Sequence, residues 1–262
     1  MKRTQLLLVT LIAGLSLTSH VNAAYFDGFD SIDSGWVTDR REPAAFTSLF
    51  FDGDNRLKIT VNGVTEAPPY NSTFYNTQGR QHAATVSGPW SLTGQLYISS
   101  DFISGNNLRR ADIWGRAGLV GDETGAEYFI FGARRFDVSD PFNIAAANIT
   151  SVWRVWDADT ANGWVELASP VVAGWHDLGM TFTGSSLIYT LDNVAVYTDT
   201  TLGGLASNFT TMFAQSYNFG AANGNYDVYF DNINVVAVPE PSSLALVGIG
   251  CLAVVNHIRR RR

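Results

Sequence analysis

The sequence predicts an all-β fold, a two-sheet antiparallel β-sandwich, with one apolar segment at each end of the chain. Three observations predict it. Asp outnumbers Glu by 18 to 6, lysine occurs only at Lys2 and Lys58, and there are 24 glycines. Asp and Gly favour turns, whereas Glu and Lys favour helices. Apolar residues alternate at period two, as in Leu57-Lys58-Ile59-Thr60-Val61, which suits a strand buried on one face. About a dozen such runs are separated by turn clusters, without a repeat of twenty to fifty residues, so a sandwich is favoured over a propeller or solenoid.

The chain opens with Met1-Lys2-Arg3, an apolar run from Leu6 to Leu17, and small residues at Val21 and Ala23. These are the basic, hydrophobic and cleavage regions of a secretory signal helix, cut between Ala23 and Ala24, with an uncleaved signal anchor as the alternative. Residues 1–23 are therefore expected to be signal peptide, 24–237 an ectodomain, and 238–262 a separate tail.

Within the ectodomain, Tyr25 to Asp30 reads as a first strand and turn. Phe50 to Val61 reads as a hairpin around Asp52-Gly53-Asp54-Asn55. Glu66 to Thr73 is a polar loop. Strands are expected at Gln81–Val86, Gly94–Ile103, Trp114–Val120, Glu127–Ala133, Ser151–Trp156, Trp164–Leu167 and Trp175–Phe182. Leu187 to Tyr197 is a hairpin whose turn is Asp192-Asn193, two residues that tolerate left-handed backbone. Thr200 to Phe209 is assigned one short helix. Tyr226 to Val236 is the last strand, and the apolar phase slips at Asp231-Asn232, which predicts a bulge.

The tail has three parts. Pro239 and Pro241 hold the chain extended. Leu244 to Val255 is free of charge but covers only about 18 Å as a helix, short of the roughly 30 Å hydrocarbon core. Arg259, Arg260, Arg261 and Arg262 then favour the cytoplasmic side and stop transfer. With Pro239, Glu240 and Pro241 ahead of a short span and an arginine cluster, the tail resembles the PEP-CTERM sorting signal. That resemblance implies recognition and processing by an exosortase-type enzyme, and a transmembrane helix that anchors the protein in the membrane beforehand. The expected destination is the cell surface or extracellular matrix.

The ectodomain pieces Phe26-Asp27-Gly28-Phe29-Asp30, Asp52 to Leu57, Gly184 to Tyr197 and Tyr229-Phe230-Asp231-Asn232-Ile233 together resemble a concanavalin A-like jelly roll; an immunoglobulin-like sandwich is the alternative. Glycanases of the jelly-roll family carry paired carboxylates on one strand in a Glu-x-Asp-x-x-Glu pattern. Here the ectodomain has five glutamates, Glu42, Glu66, Glu123, Glu127 and Glu166. The nearest cluster, Asp122, Glu123 and Glu127, lies around two glycines and reads as a solvated turn. The lyase version of the fold uses basic and Tyr/His groups, of which Gln81-His82 is a faint match.

Between the two terminal segments 11 basic and 23 acidic residues remain, a net charge near −12. Such a surface repels nucleic acid. The only cysteine, Cys251, is in the tail, so no disulfide is expected in the exported domain. His82 and His176 are too few for a zinc site. No cofactor is implied apart from calcium, for which Asp27 and Asp231, at the two ends of the domain, are the candidate ligands. Aromatic residues make up 13% of the chain. Trp114, Tyr128, Trp156 and Trp164 are the candidates for stacking on sugar rings. Trp153 and Trp156, three apart, should face opposite sides of their strand.

The expectation is therefore an exported, non-catalytic cell-envelope or matrix protein that binds exopolysaccharide. The alternatives are a glycan hydrolase or lyase with a diverged site, and an ice- or surface-adhesion protein.

Overall fold

The structure is a computed structural model that describes residues 23–65, 76–118, 125–137 and 149–239. Fifteen strands follow in chain order: β1 (Ala23–Asp27), β2 (Val37–Thr38), β3 (Ala45–Phe51), β4 (Asp54–Val61), β5 (Thr77–Ser87), β6 (Trp90–Ile98), β7 (Arg109–Ala117) and β8 (Glu127–Asp137). They continue as β9 (Ile149–Trp156), β10 (Trp164–Glu166), β11 (Gly174–Phe182), β12 (Leu187–Leu191), β13 (Val194–Asp199), β14 (Asn208–Tyr217) and β15 (Tyr226–Ala237). Sheet A has the order β13-β12-β11-β6-β15-β4-β3, with β1 also paired to β15, and sheet B has the order β10-β9-β8-β7-β14-β5-β2. All ladders between named strands are antiparallel, so the predicted two-sheet sandwich is the observed one.

The two inner faces meet in one core. Sheet A contributes Leu57, Ile59, Leu92, Leu96, Met180, Tyr189, Val228 and Phe230; sheet B contributes Ile113, Phe129, Phe131, Trp153, Val155, Phe209 and Met212. Trp90 fills the space between them, its indole N–H donating to the Ala206 carbonyl at 2.7 Å. Period-two patterning produces this division: in β6, and in β4 from Leu57 on, every second residue is buried and its neighbours are not.

Both predicted hairpins form. β3 and β4 turn at Asp52-Gly53, with φ of 52° and 90°, and β12 and β13 turn at Asp192-Asn193, with φ of 50° and 65°. Paired positive φ values are those of the tight turns that match strand twist. The bulge in β15 also falls where the phase slips: the register to β6 shifts between Asp231 and Asn234, and Asn232 has φ of 50°.

Three expectations are corrected. Thr200 to Phe209 contains no helix but a turn leading into β14, a strand not anticipated. The run from Gly94 to Ile103 stops as a strand at Ile98 and continues as a short 3-10 turn over Ser100–Phe102. Strand β7 starts at Arg109 rather than Trp114. The signal helix and the C-terminal transmembrane helix fall outside the described residues, as do Glu66 to Thr73 and Asp122-Glu123. Among the described residues no helix is long and apolar enough to cross a membrane.

Candidate active site

The outward face of sheet B carries the densest chemistry. In β7 the inward residues are Ala111, Ile113 and Ala117, so Arg110, Asp112, Trp114 and Arg116 point out. Register then aligns rows across the strands. One row runs Glu166, Arg154, Gly132, Asp112, Gln215, Gly79. The row on one side of it contains Arg134 and Arg110. On the other side lie Ile130, Trp114, Phe213 and Gln81, with Trp156 and Trp164 paired at the edge. Beyond these, Tyr128 faces Arg116, and Arg116 faces Thr211. The two glycines keep the central row low, because a Cβ at Gly132 would overlap the Ala111 carbonyl oxygen and one at Gly79 that of Ala214.

All four candidate stacking residues lie on this face. Trp114 is fully buried in a cluster with Ile130 and Phe213, against which the half-buried Tyr128, Trp156 and Trp164 pack. Trp156 and Trp164 meet edge to face at 5.1 Å. Trp153 turns the other way, into the core, 6.2 Å from Phe131.

Arginines interleave with the rings. Arg154 lies 3.6 Å above Trp164, Arg110 lies 5.0 Å from Trp164 and 5.2 Å from Tyr217, and Arg40 lies 5.1 Å from Trp114. Arg154 is only 2% exposed, and its Nε and Nη2 are buried without a hydrogen-bond partner among the described residues. Burial, and then the neighbouring Arg110 charge, hold its guanidinium pKa well below the ordinary value, against the pull of Asp112. The same two causes bring Arg134 down to about 10. Burial raises the Tyr217 phenol, opposed by a hydrogen bond from Asn76 at 3.1 Å and by the charges of Arg110, Arg134 and Arg154. The face is thus a desolvated positive patch in a domain of negative net charge.

Carboxylates on this face are few. Asp112 is completely buried, pairs with Arg110, and keeps Oδ1 without a partner. Asp39 pairs with Arg40 and accepts from the Gln215 amide at 2.9 Å. Glu166 is exposed on β10, three strand spacings from Asp112, or roughly 14 Å.

Other expected site residues lie elsewhere. Glu127 is on the inward side of β8, with Oε1 accepting from the Leu205 amide at 3.3 Å. Gln81 faces the patch, whereas His82 packs on Tyr25 with ring centres 3.9 Å apart. Asp27 accepts from the Phe29 amide at 2.7 Å, the Trp36 indole at 2.8 Å and the Tyr25 hydroxyl at 3.0 Å. Asp231 pairs with Arg56. The two calcium candidates therefore engage separate protein partners, and Asp231 Oδ1 is buried without a hydrogen-bond partner among the described residues. Among the described residues no cluster of three or more His, Cys, Asp or Glu is placed to hold a metal. The arginine rows were missed by sequence reading. The alternation Arg110, Asp112, Trp114, Arg116 and the Trp-Arg-Val-Trp of 153–156 were the available signals.

The last ladder of the fold sets the exit of the tail: Ala237 pairs with Trp90, and the Val238 amide donates to the Pro89 carbonyl at 2.9 Å. The family model begins at that point, matching the Pro-Glu-Pro triplet, the short span and the arginines as a PEP-CTERM protein-sorting motif. The chain carries a PEP-CTERM sorting motif over residues 237–262. The motif implies export, C-terminal anchoring and processing by an exosortase-type enzyme.

No curated protein sequence matches the chain. Solved structures do match the β-sandwich that precedes the sorting motif. A glycoside hydrolase family 16 endo-glucanase of Bacteroides ovatus aligns with a TM-score of 0.53 at 12% identity, over 80% of this chain and 99% of that one. A structure described with the endo-acting O-glycanases of human gut bacteria gives 0.52 at 11%, over 83% and 100%. A pseudo β-1,3-glucanase of Mycobacterium tuberculosis gives 0.51 at 12%, over 83% and 99%. At such identities the likeness establishes the fold, a jelly roll. It also corrects the expectation of a non-catalytic domain in favour of its hydrolase-or-lyase alternative, because the fold is shared with glycan-cleaving enzymes as well as with a pseudo-enzyme.

Proposed function

We propose that the protein is an exported polysaccharide-cleaving enzyme whose active site is the outward face of sheet B, and that its substrate is an anionic, uronate-containing glycan. The observation that carries this reading is Arg154, a buried guanidinium with two unsatisfied nitrogens, flanked by Arg134 and Arg110 and roofed by Trp164. A carboxylate is the group that relieves both the missing hydrogen bonds and the mutual repulsion of the arginines. Half-exposed Tyr128, Trp156 and Trp164 offer faces for adjacent sugar rings.

The chemistry that fits this face is β-elimination. Neutralising the uronate carboxylate acidifies the proton on the adjacent ring carbon. A base removes that proton, the bond to the glycosidic oxygen at the next carbon breaks, and the electron pair forms a ring double bond while the departing oxygen takes a proton. Tyr217, bordered by all three arginines, holds its phenolic proton through burial and is the residue assigned to deliver it. Glu166, exposed opposite Arg154, lies four strand spacings, roughly 19 Å, from Tyr217, so it is assigned to a neighbouring sugar and solvent water at the open face takes the abstracted proton.

Hydrolysis is the second reading, and one observation favours it. Gln215 lies beside Asp112 in register and bonds Asp39, so two buried carboxylates share a neighbour. Both are ion-paired to arginines, which suits neither an acid that must donate nor a nucleophile that must be free.

The tail holds the protein in the inner membrane until processing delivers it to the surface or matrix, where exopolysaccharide is within reach. The test is incubation of the protein with polygalacturonate, alginate and glucuronan. Elimination releases ultraviolet-absorbing unsaturated ends, hydrolysis releases reducing ends without that absorbance, and the absence of both rejects the enzyme reading.

A further inference from the structure

The outward face of sheet A, on the far side of the sandwich, is built differently. Trp175, Tyr97 and Tyr229 stand in one row on β11, β6 and β15. Phe51, from the β3–β4 turn, stacks on Tyr229 with ring centres 4.1 Å apart and planes 8° from parallel. All four rings are partly exposed. The turn is pinned over them by a hydrogen bond from the Trp175 indole to Asp52 at 2.9 Å.

The next row is polar. Asp177, Gln95 and Asp231 are aligned; the Gln95 amide donates to Asp177 at 2.8 Å, and Asn232 donates to the Gln95 carbonyl oxygen at 2.9 Å. This row opens into a pocket of about 250 Å³ bounded by Thr93, Gln95, Asp177, Gly179, Asn193 and Asn232. At Gly179 a side chain would overlap the Thr190 hydroxyl, so the glycine keeps the floor clear. An aromatic row one period from a row of amides and carboxylates is the arrangement that grips a sugar, with rings on C–H faces and polar groups on hydroxyls.

We infer that this face is a second glycan-binding surface, and that its ligand is a neutral polysaccharide rather than the anionic one assigned to sheet B. Charge decides the class. The two cations of this face are ion-paired, Arg56 beside Trp175 to Asp231 and Lys58 to Asp227 at 3.7 Å. Exposed Asp52, Asp54 and Asp177, which border the rings and the pocket, therefore repel a uronate while accepting hydroxyl hydrogen bonds. Two faces of opposite character let one domain hold a neutral chain while acting on an acidic one.

The test is affinity electrophoresis of the full chain in detergent through gels containing a soluble neutral β-glucan or polygalacturonate. Trp175→Ala removes a platform ring. Thr93→Arg fills the pocket mouth from an exposed position, so it reports even if loss of Trp175 loosens the hairpin. We expect β-glucan to retard the wild type and each variant to weaken that binding about tenfold, the size of one lost ring or one blocked contact set. Migration in polygalacturonate should match the wild type for Thr93→Arg. No retardation by β-glucan, or equal retardation of wild type and Thr93→Arg, overturns the inference. A failure on sheet B would appear separately, as unchanged polygalacturonate throughout the cleavage assay.

Discussion

Arg154 concentrates the cost of the sheet B face in one side chain. A guanidinium with two buried, unsatisfied nitrogens destabilises the fold unless a ligand completes it. Arg154→Met should therefore melt at or above the wild-type temperature, yet lower kcat/KM on an acidic glycan by about two orders of magnitude, as expected for one lost charged contact. Parallel thermal melts and cleavage assays check both halves, and a fall in melting temperature would assign Arg154 a structural role. Glu127 makes a contrary case. Burial raises its carboxyl pKa, against the Leu205 amide bond that lowers it, so the folded protein binds this proton more tightly than the unfolded chain does. Ionised Glu127 thus lowers stability at neutral pH, and the loss fades as pH falls through the folded value. Glu127→Gln should melt higher than wild type at pH 7, with the difference closing by about pH 4, near the unperturbed carboxyl value.

At the scale of strands, the site depends on spacing that no single residue announces. Arg154, Asp112 and Gln215 come from β9, β7 and β14, and only the register aligns them. Gly132 sits between Arg154 and Asp112 because its backbone lies against Ala111. Gly132→Ala should force β7 and β8 apart, cost about 1–3 kcal/mol as overpacking does, and abolish activity; denaturant unfolding and turnover measure the two effects. The same scale shows where sequence reading succeeds and fails. Asp52-Gly53 and Asp192-Asn193 were legible because a tight turn demands residues that tolerate positive φ. Strand β14 was not, because nine of its ten residues are buried; between the Trp114 and Ile130 side chains on one side and the core on the other, no polar alternation survives to mark it. The arginine rows were equally hidden, since charged residues in a strand ordinarily mean a solvated face.

Over the whole molecule, charge and address are separate systems. The β-sandwich is acidic, but its arginines other than Arg56 gather on and around sheet B, while exposed aspartates border the aromatic row of sheet A. The sorting motif begins at the end of β15, where Ala237 pairs with Trp90 and the Val238 amide bonds Pro89, so the Pro-Glu-Pro triplet follows the last ladder pair. Replacing Pro239, Glu240 and Pro241 by alanine should leave unprocessed protein in the inner membrane with unchanged melting behaviour and unchanged cleavage of acidic glycan. Fractionation with immunoblotting checks the location, and a mature-sized product in the medium would contradict the role given to the triplet.

What the sequence by itself determined was the sandwich and the sorting motif. Both rest on local chemistry: period-two burial, turn residues at positive φ, and a contiguous motif in the last 26 residues. What only the tertiary structure decided was the arginine-rich face proposed as the site. Its arginines lie on three strands separated by up to 44 positions in the chain, Arg110 to Arg154, and are brought together by ladder register. The desolvation of Arg154 arises only when β8, β9 and β10 pair and Trp164 closes over its guanidinium.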